Sequence, residues 1–311
     1  MKHQLGRGRR GPAAVPASYS FQRLAALTLI LTLAGVCWQF LLHPRRAAAQ
    51  YTPSCPAGWT RLQAGRGVAL CQQGSFYVTV VDLSSGARIR NMYQFVGGAA
   101  GSASNPNPLF VGRDITEWWA WSPNVANKPA GALFGMTNGA FFSGSYSGAP
   151  TDQRFSFPMK DRGNLRTIGG DRDPANPLRE FRMNDADADI VYYPQNPNSW
   201  DQVNSLLGGF TSVVGLHPGT TDDGAKGRTY LGLRDNNRDG RYETVYIFSS
   251  KQATKPDAYN SLTNSFGTVV NIQFDGSGSA QMMCKGKEYV ASTDFSGRRN
   301  VPHGFAIYEA P

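Results

Sequence analysis

The segment PDAYNSLTNSFGTVVNIQFDGSGS, Pro256–Ser279, decides how the chain is read. Thr254 stands as a helix cap, Pro256 opens the first turn with Asp257 inside it, and Ala258, Leu262 and Phe266 recur on one face. Gly267 ends that helix. Thr268–Phe274 then reads as a buried strand that stops at Asp275, with Gly276, Ser277, Gly278 and Ser279 behind it. The predicted unit is therefore helix, short turn, apolar strand, carboxylate, flexible loop. A carboxylate at the end of a buried strand is held by a rigid element. The glycines after it let backbone N–H groups approach an anion, and Ser277 and Ser279 add hydroxyl donors.

Two other apolar strands end in comparable polar residues. Arg228-Thr229-Tyr230-Leu231-Gly232-Leu233 opens on a guanidinium able to fork onto a phosphate or carboxylate. The run LFGMTNGAFF (133–142) carries Asn138 beside a glycine. The predicted hairpin partner of the Arg228 strand is Tyr242–Phe248, across the tip DNNRDGR. Asp235, Asn237 and Asp239 in that tip imitate the first half of an EF-hand loop. The twelfth position is Tyr246, where a bidentate Glu belongs, so the tip reads as a turn and calcium is the one cofactor it suggests.

Strands are also predicted in FYVTVVDL (76–83) and ARIRNMYQF (87–95), and a short helix over Ser199–Leu207 stopped by Gly208-Gly209. Gly97–Pro108 reads as a surface loop. Asp185, Asp187 and Asp189 alternate, which would put three carboxylates on one strand face, solvated or on calcium. Trp118, Trp119 and Trp121 read as core packing or as a sugar-stacking surface. The fold class expected is α+β, a strand-rich mixed or antiparallel core with a few short helices. It forms a single domain over 75–309, after a hydrophobic leader (1–49) and an extension (50–74).

The formal charge of +9 belongs to the leader. Residues 1–49 hold seven Lys and Arg and no acid, so 24 bases face 22 acids in the rest. That balance gives no support to nucleic-acid binding. Leu24–Leu42 is an apolar run with five basic residues before it, and Ala47-Ala48-Ala49 supplies small residues for cleavage. The leader is a cleaved signal or a retained anchor, and the folded part is exported in either case, periplasmic, extracellular or membrane-anchored. Membrane contact is expected through an uncleaved leader alone. Export permits disulfides. Cys55 and Cys71 flank a Gly-rich segment and form the expected bridge, the alternative being reduced, buried thiols.

Beyond the leader only His217 and His303 are histidines, and HExxH, CxxC, GxxxxGK[ST] and GxGxxG are all missing, which excludes the common zinc and nucleotide signatures. Ser277 and Ser279 lie in no GxSxG elbow.

Together, Asn138-Gly139-Ala140-Phe141-Phe142, Arg228-Thr229-Tyr230-Leu231-Gly232, Asp275-Gly276-Ser277-Gly278-Ser279 and Val301-Pro302-His303-Gly304 resemble, in order and spacing, the motifs of the phosphodiester glycosidase family. The likeness runs from about Phe76 to Tyr308. Ala140 and Ser277 stand where the family has glycine, Ala280 where it has a second serine, and His303-Gly304 where it has Asn-Ala. The resemblance implies hydrolysis of a sugar-1-phosphodiester, with a phosphorylated glycan as partner. Asp275 would be nucleophile or base. Arg228 and Gly276–Ser279 would hold phosphate, Asn138 would orient, and Thr229 and His303 would line the substrate. A departing phosphomonoester is already a stabilised anion, so one carboxylate can serve where other glycosidases need two. Two alternatives remain open: a non-catalytic envelope protein binding polysaccharide on the same fold, and a serine hydrolase using Ser277 or Ser279 with His217 or His303.

Overall fold

The structure, a computed structural model, describes residues 53–125, 128–170, 176–197, 199–292 and 298–311. The predicted leader lies outside the described residues. Residues 50–311 form one compact unit.

Two antiparallel sheets carry the fold. The larger runs in spatial order through β1 (Thr60–Gly65), β2 (Val68–Gln73), β3 (Phe76–Asp82), β14 (Thr244–Ala253), β13 (Lys226–Arg234), β15 (Val270–Phe274), β12 (Thr211–Leu216), β10 (Leu178–Met183) and β11 (Ala188–Tyr193). A hairpin of β8 (Met159–Asp161) and β9 (Asn164–Thr167) attaches to β12. The smaller sheet runs β17 (Lys287–Val290), β16 (Met282–Cys284), β5 (Leu133–Asn138), β18 (Gly304–Tyr308) and β4 (Arg88–Met92). Short strands β6 (Phe142–Ser143) and β7 (Arg154–Phe155) pair by themselves.

Alternation along the strands builds the layers. Leu231, Leu233, Val245, Ile247, Ile272 and Phe274 point from the larger sheet into one core, where Phe134, Phe305, Ile307 and Met282 meet them from the smaller sheet. The opposite parity, Tyr230, Tyr246 and Phe248, packs outward against α3 (Lys255–Asn260) and the turns after it, through Ala258, Leu262 and Phe266. Burial on both faces is why Tyr230–Leu233 of β13 and Val245–Phe248 of β14 carry no charged residue.

The expected helix at 256–266 forms with its predicted cap. The Thr254 hydroxyl accepts from the Asp257 N–H at 3.1 Å while the Asp257 carboxylate takes the Thr254 N–H at 2.9 Å. From Ser261 to Ser265 the coil widens into a π turn, and Leu262 and Phe266 pack on the same sheet face as Ala258. The second predicted helix is α2 (Trp200–Leu207), capped by Ser199.

The tryptophans belong to α1 (Ile115–Trp121), which covers the outer face of the smaller sheet. Trp118 is fully buried and its indole N–H donates to the Val301 carbonyl at 2.9 Å, so core packing accounts for it. Only Asp189 of the three alternating aspartates lies in β11. Asp185 pairs with Arg90 at 2.8 Å and Asp187 with Arg241 at 3.6 Å, so their charges are spent on separate arginines and form no common face.

Cys55 and Cys71 are joined, with Cα atoms 5.7 Å apart, as befits an oxidising compartment. Cys284 is buried, and burial pushes its thiol up to about 12, which makes it unreactive. Among the described residues no helix is long and apolar enough to cross a membrane.

Candidate active site

The polar strand ends predicted from sequence do not all converge. Asn138 closes β5 in the smaller sheet, and Asp275 follows β15 in the larger. The Asn138 side-chain amide donates to the Asp275 carbonyl at 2.7 Å, and the Asp275 N–H donates to the Gly139 carbonyl at 3.0 Å. The Asn138 side-chain oxygen accepts from the Thr229 hydroxyl at 2.7 Å and the Gln281 N–H at 3.1 Å. All four are supports of one corner where the two sheets meet. Asn138 and Thr229 are almost wholly buried, so both hold the frame of the site.

On that frame the Asp275 carboxyl is partly buried. Its Oδ1 accepts from the Gly276 N–H at 2.9 Å. Burial raises its proton affinity, and the Ser279 hydroxyl, the Arg299 charge and the Gly276 N–H oppose that rise, leaving its pKa at about 6. A carboxyl titrating there exchanges protons near neutral pH.

The guanidinium beside Asp275 is Arg299. Its Nη1 donates to Ser279 Oγ at 3.2 Å, and its plane stacks on the Tyr146 ring, 3.6 Å from the centroid. Its backbone is fixed as well. Gln281, fully buried, donates to the Arg299 carbonyl at 2.7 Å while its oxygen takes the Ile115 N–H at 3.0 Å. Ser292 accepts from the Arg299 N–H at 3.1 Å and donates to the Gly278 carbonyl at 2.5 Å, lacing the loop to the same segment. Sequence reasoning missed Arg299, Gln281 and Tyr146. The signal was the proximity of Arg299 to Val301-Pro302, since a closing motif brings its neighbours with it.

Arg228 goes elsewhere. It shares strand parity with Tyr230 and so leaves the sheet on the α3 side. Its Nε donates to the Ala253 carbonyl at 3.1 Å, and Nη2 donates to the Gly224 carbonyl at 3.0 Å and pairs with Asp223. The sequence reading put the Arg228 guanidinium beside Asp275; the guanidinium acting on that carboxyl is instead that of Arg299, because β15 ends at Phe274, opposite Thr229, and the chain turns away before Arg228 gains a partner there.

The loop Gly276–Ser279 is a single 3-10 turn in which Ser277 takes a positive φ of 53°. Gly278 and Ser279 are buried and Ser277 is exposed. The turn crosses Gly227 so closely that a Cβ there would stand 1.9 Å from the Ser277 carbonyl oxygen, so only glycine can precede Arg228.

His303 is fully buried between Phe155 and Phe305, and its Nδ1 accepts the Ala140 N–H at 3.0 Å. That acceptance places the ring proton on Nε2, and burial drives the pKa down to about 3, so the imidazole is neutral and shapes the Gly139–Ala140 turn. Its ring is also why position 139 is glycine, as a Cβ would stand 2.2 Å from Nδ1. His217 is exposed. Among the described residues neither Ser277 nor Ser279 hydrogen-bonds to a histidine, which removes the pair a serine hydrolase needs.

The arrangement can hold an anion against Arg299 and the turn, and can take a proton on Asp275. No protein-family model matches this chain, and no curated protein matches it. Among solved structures the chain is distantly similar in fold to a protein of Burkholderia pseudomallei described as exported. There the TM-score is 0.44 and the identity 12%, over 79% of this chain and 76% of that one. A hypothetical protein from Synechocystis gives a TM-score of 0.41 at 9% identity, over 81% of this chain and 61% of that one. The catalytic domain of zebrafish N-acetylglucosamine-1-phosphodiester alpha-N-acetylglucosaminidase, auto-inhibited by its pro-peptide, gives 0.44 at 14% identity over 81% of each chain. All three likenesses are remote, and the chemistry of the corner rests on its own side chains.

Proposed function

We propose that the protein is an exported hydrolase that cleaves a sugar-1-phosphodiester at its C1–O–phosphate linkage, on a glycan or glycoconjugate. The observation that carries this reading is the Asp275 carboxyl, with a pKa of about 6, clustered with the Ser279 hydroxyl and the Arg299 guanidinium on a glycine-bearing turn.

Asp275 accepts a proton from water as that water attacks C1 of the sugar. A pKa near the working pH gives a base that is ionised before the step and able to keep the proton after it. The C1–O bond breaks toward phosphate, and the bonding pair leaves with the phosphomonoester. That group needs charge stabilisation more than a proton, and the Arg299 fork with the N–H groups of Ser277 and Gly278 supplies it. Stacking on Tyr146 fixes the guanidinium plane before substrate arrives. Asn138, Thr229 and Gln281 position the carboxylate and Arg299 without touching the ester.

The test is turnover of UDP-N-acetylglucosamine, or a model sugar-1-phosphodiester, by the wild-type chain, read as released sugar and phosphomonoester. Product formation that Asp275→Asn abolishes supports the proposal. Glycan binding with no turnover, unchanged in Asp275→Asn, would favour a polysaccharide-binding protein.

A further inference from the structure

The tip between β13 and β14 is a second chemical centre, unrelated to the hydrolytic corner. Asp235, Asp239 and Glu243 each turn a carboxylate oxygen to within 4.8 Å of the others. Asp235 accepts the N–H groups of Arg238, Asp239 and Gly240, and Asp239 accepts that of Arg241 and the Asn237 amide; three carboxylates that close still repel one another, and a cation among them relieves it. Among the described residues none of the three forms an ion pair, although Arg234, Arg238 and Arg241 are all nearby in sequence. Arg241 pairs with Asp187 at 3.6 Å and Arg234 donates to the Phe266 carbonyl at 3.1 Å.

Glu243 is the informative member. It is 7% exposed, although it belongs to an otherwise exposed tip. Its Oε1 accepts the N–H groups of Asn236 at 2.8 Å and Asn237 at 3.2 Å, which turns the carboxylate toward the loop. Its Oε2 is buried with no hydrogen-bond partner. A buried, unpartnered carboxylate oxygen is strongly unfavourable unless a cation or water meets it.

We propose that this tip binds a divalent cation, calcium, through Asp235, Asn237, Asp239 and Glu243. The donors are hard oxygens on an irregular loop, which suits Ca²⁺ better than Mg²⁺ with its strict octahedron and tightly held waters. The sequence spacing lacks a Glu at the twelfth loop position, but Glu243, at the ninth, comes back into the loop because β14 begins directly after it. Exported proteins meet calcium at concentrations where a loop site of modest affinity fills, so the ion would brace the hairpin outside the cell.

The experiment is calorimetric titration of Ca²⁺, and separately Mg²⁺, into the full chain stripped with EGTA, for wild type, Glu243→Gln and Asp239→Asn. We expect one Ca²⁺ per chain with a Kd between about 10⁻⁵ and 10⁻³ M, and Mg²⁺ at least about tenfold weaker. Each substitution should weaken Ca²⁺ at least about tenfold with the far-ultraviolet circular dichroism unchanged. Asp239 is exposed, so Asp239→Asn decides the matter if Glu243→Gln fails to fold. No saturable binding up to about 10 mM Ca²⁺, or a loss below tenfold in the folded variants, overturns the proposal.

Discussion

The Asn138 side-chain amide donates to the main-chain carbonyl of Asp275 at 2.7 Å, across 137 positions of sequence and from one sheet to the other. Asn138 therefore fixes where the carboxylate begins. Asn138→Ala would strand the Asp275 carbonyl, the Thr229 hydroxyl and the Gln281 N–H in a buried place. We expect a loss of about 3 kcal/mol in urea denaturation together with reduced turnover. Unchanged stability with lowered turnover would instead make Asn138 a substrate contact.

Asp275 links activity and stability to pH. With a pKa of about 6, its base form should give kcat/KM an acid limb that falls about tenfold per unit below pH 6. Asp275→Asn should cut turnover by about 10²- to 10⁴-fold. The folded-state pKa lies above the unfolded carboxylate value of about 3.9. The stability it contributes is therefore complete below about pH 4 and lost as pH rises through about 6. Asp275→Asn should accordingly be the more stable protein at pH 8, by on the order of 2 kcal/mol, with the margin vanishing near pH 4. Thermal melts of the two proteins across that window test the sign.

The two arginines separate recognition from stability. Arg299→Ala should raise KM and lower kcat/KM by about 10²-fold with little change in melting temperature, because its guanidinium stacks on the exposed Tyr146 ring and its backbone contacts survive the truncation. Arg228 is 3% exposed and holds a main-chain carbonyl and Asp223. Arg228→Ala should cost about 2 kcal/mol of stability, with kcat/KM per folded molecule nearly unchanged. The reverse pattern in steady-state kinetics and melts would restore Arg228 to the site.

Gly227 tests the geometry of the turn. Gly227→Ala forces a Cβ against the Ser277 backbone carbonyl, which has no side-chain freedom to yield. Turnover should fall by about 10²-fold or more, because displacing a catalytic loop by about 1 Å has that effect. Wild-type turnover in Gly227→Ala would show that the turn has no part in the chemistry.

Much of the architecture was legible. The capped start at Thr254, the alternation of Leu231 and Leu233 against Tyr230, and the strand ending at Asp275 are local patterns, and local patterns survive folding. The widened turn at Ser261–Ser265 was not legible, because no local pattern describes it. The alternation of Asp185, Asp187 and Asp189 also misled, since the turn at Asn184–Asp187 precedes the strand.

The sequence by itself determined a strand-rich export-compatible chain with a lone acid, Asp275, behind an apolar strand. Covalent order and alternation are enough for that. Which cation faces the acid, and which Glu turns into the 235–243 tip, only the tertiary structure decided. Arg299 and Arg228 are equal as residue types, and so are a Glu at the ninth or twelfth loop position. Arg228 is directed by its face of β13, Arg299 by the contacts that fix its loop, and Glu243 by the start of β14, and each of these is set by packing between segments far apart in the chain.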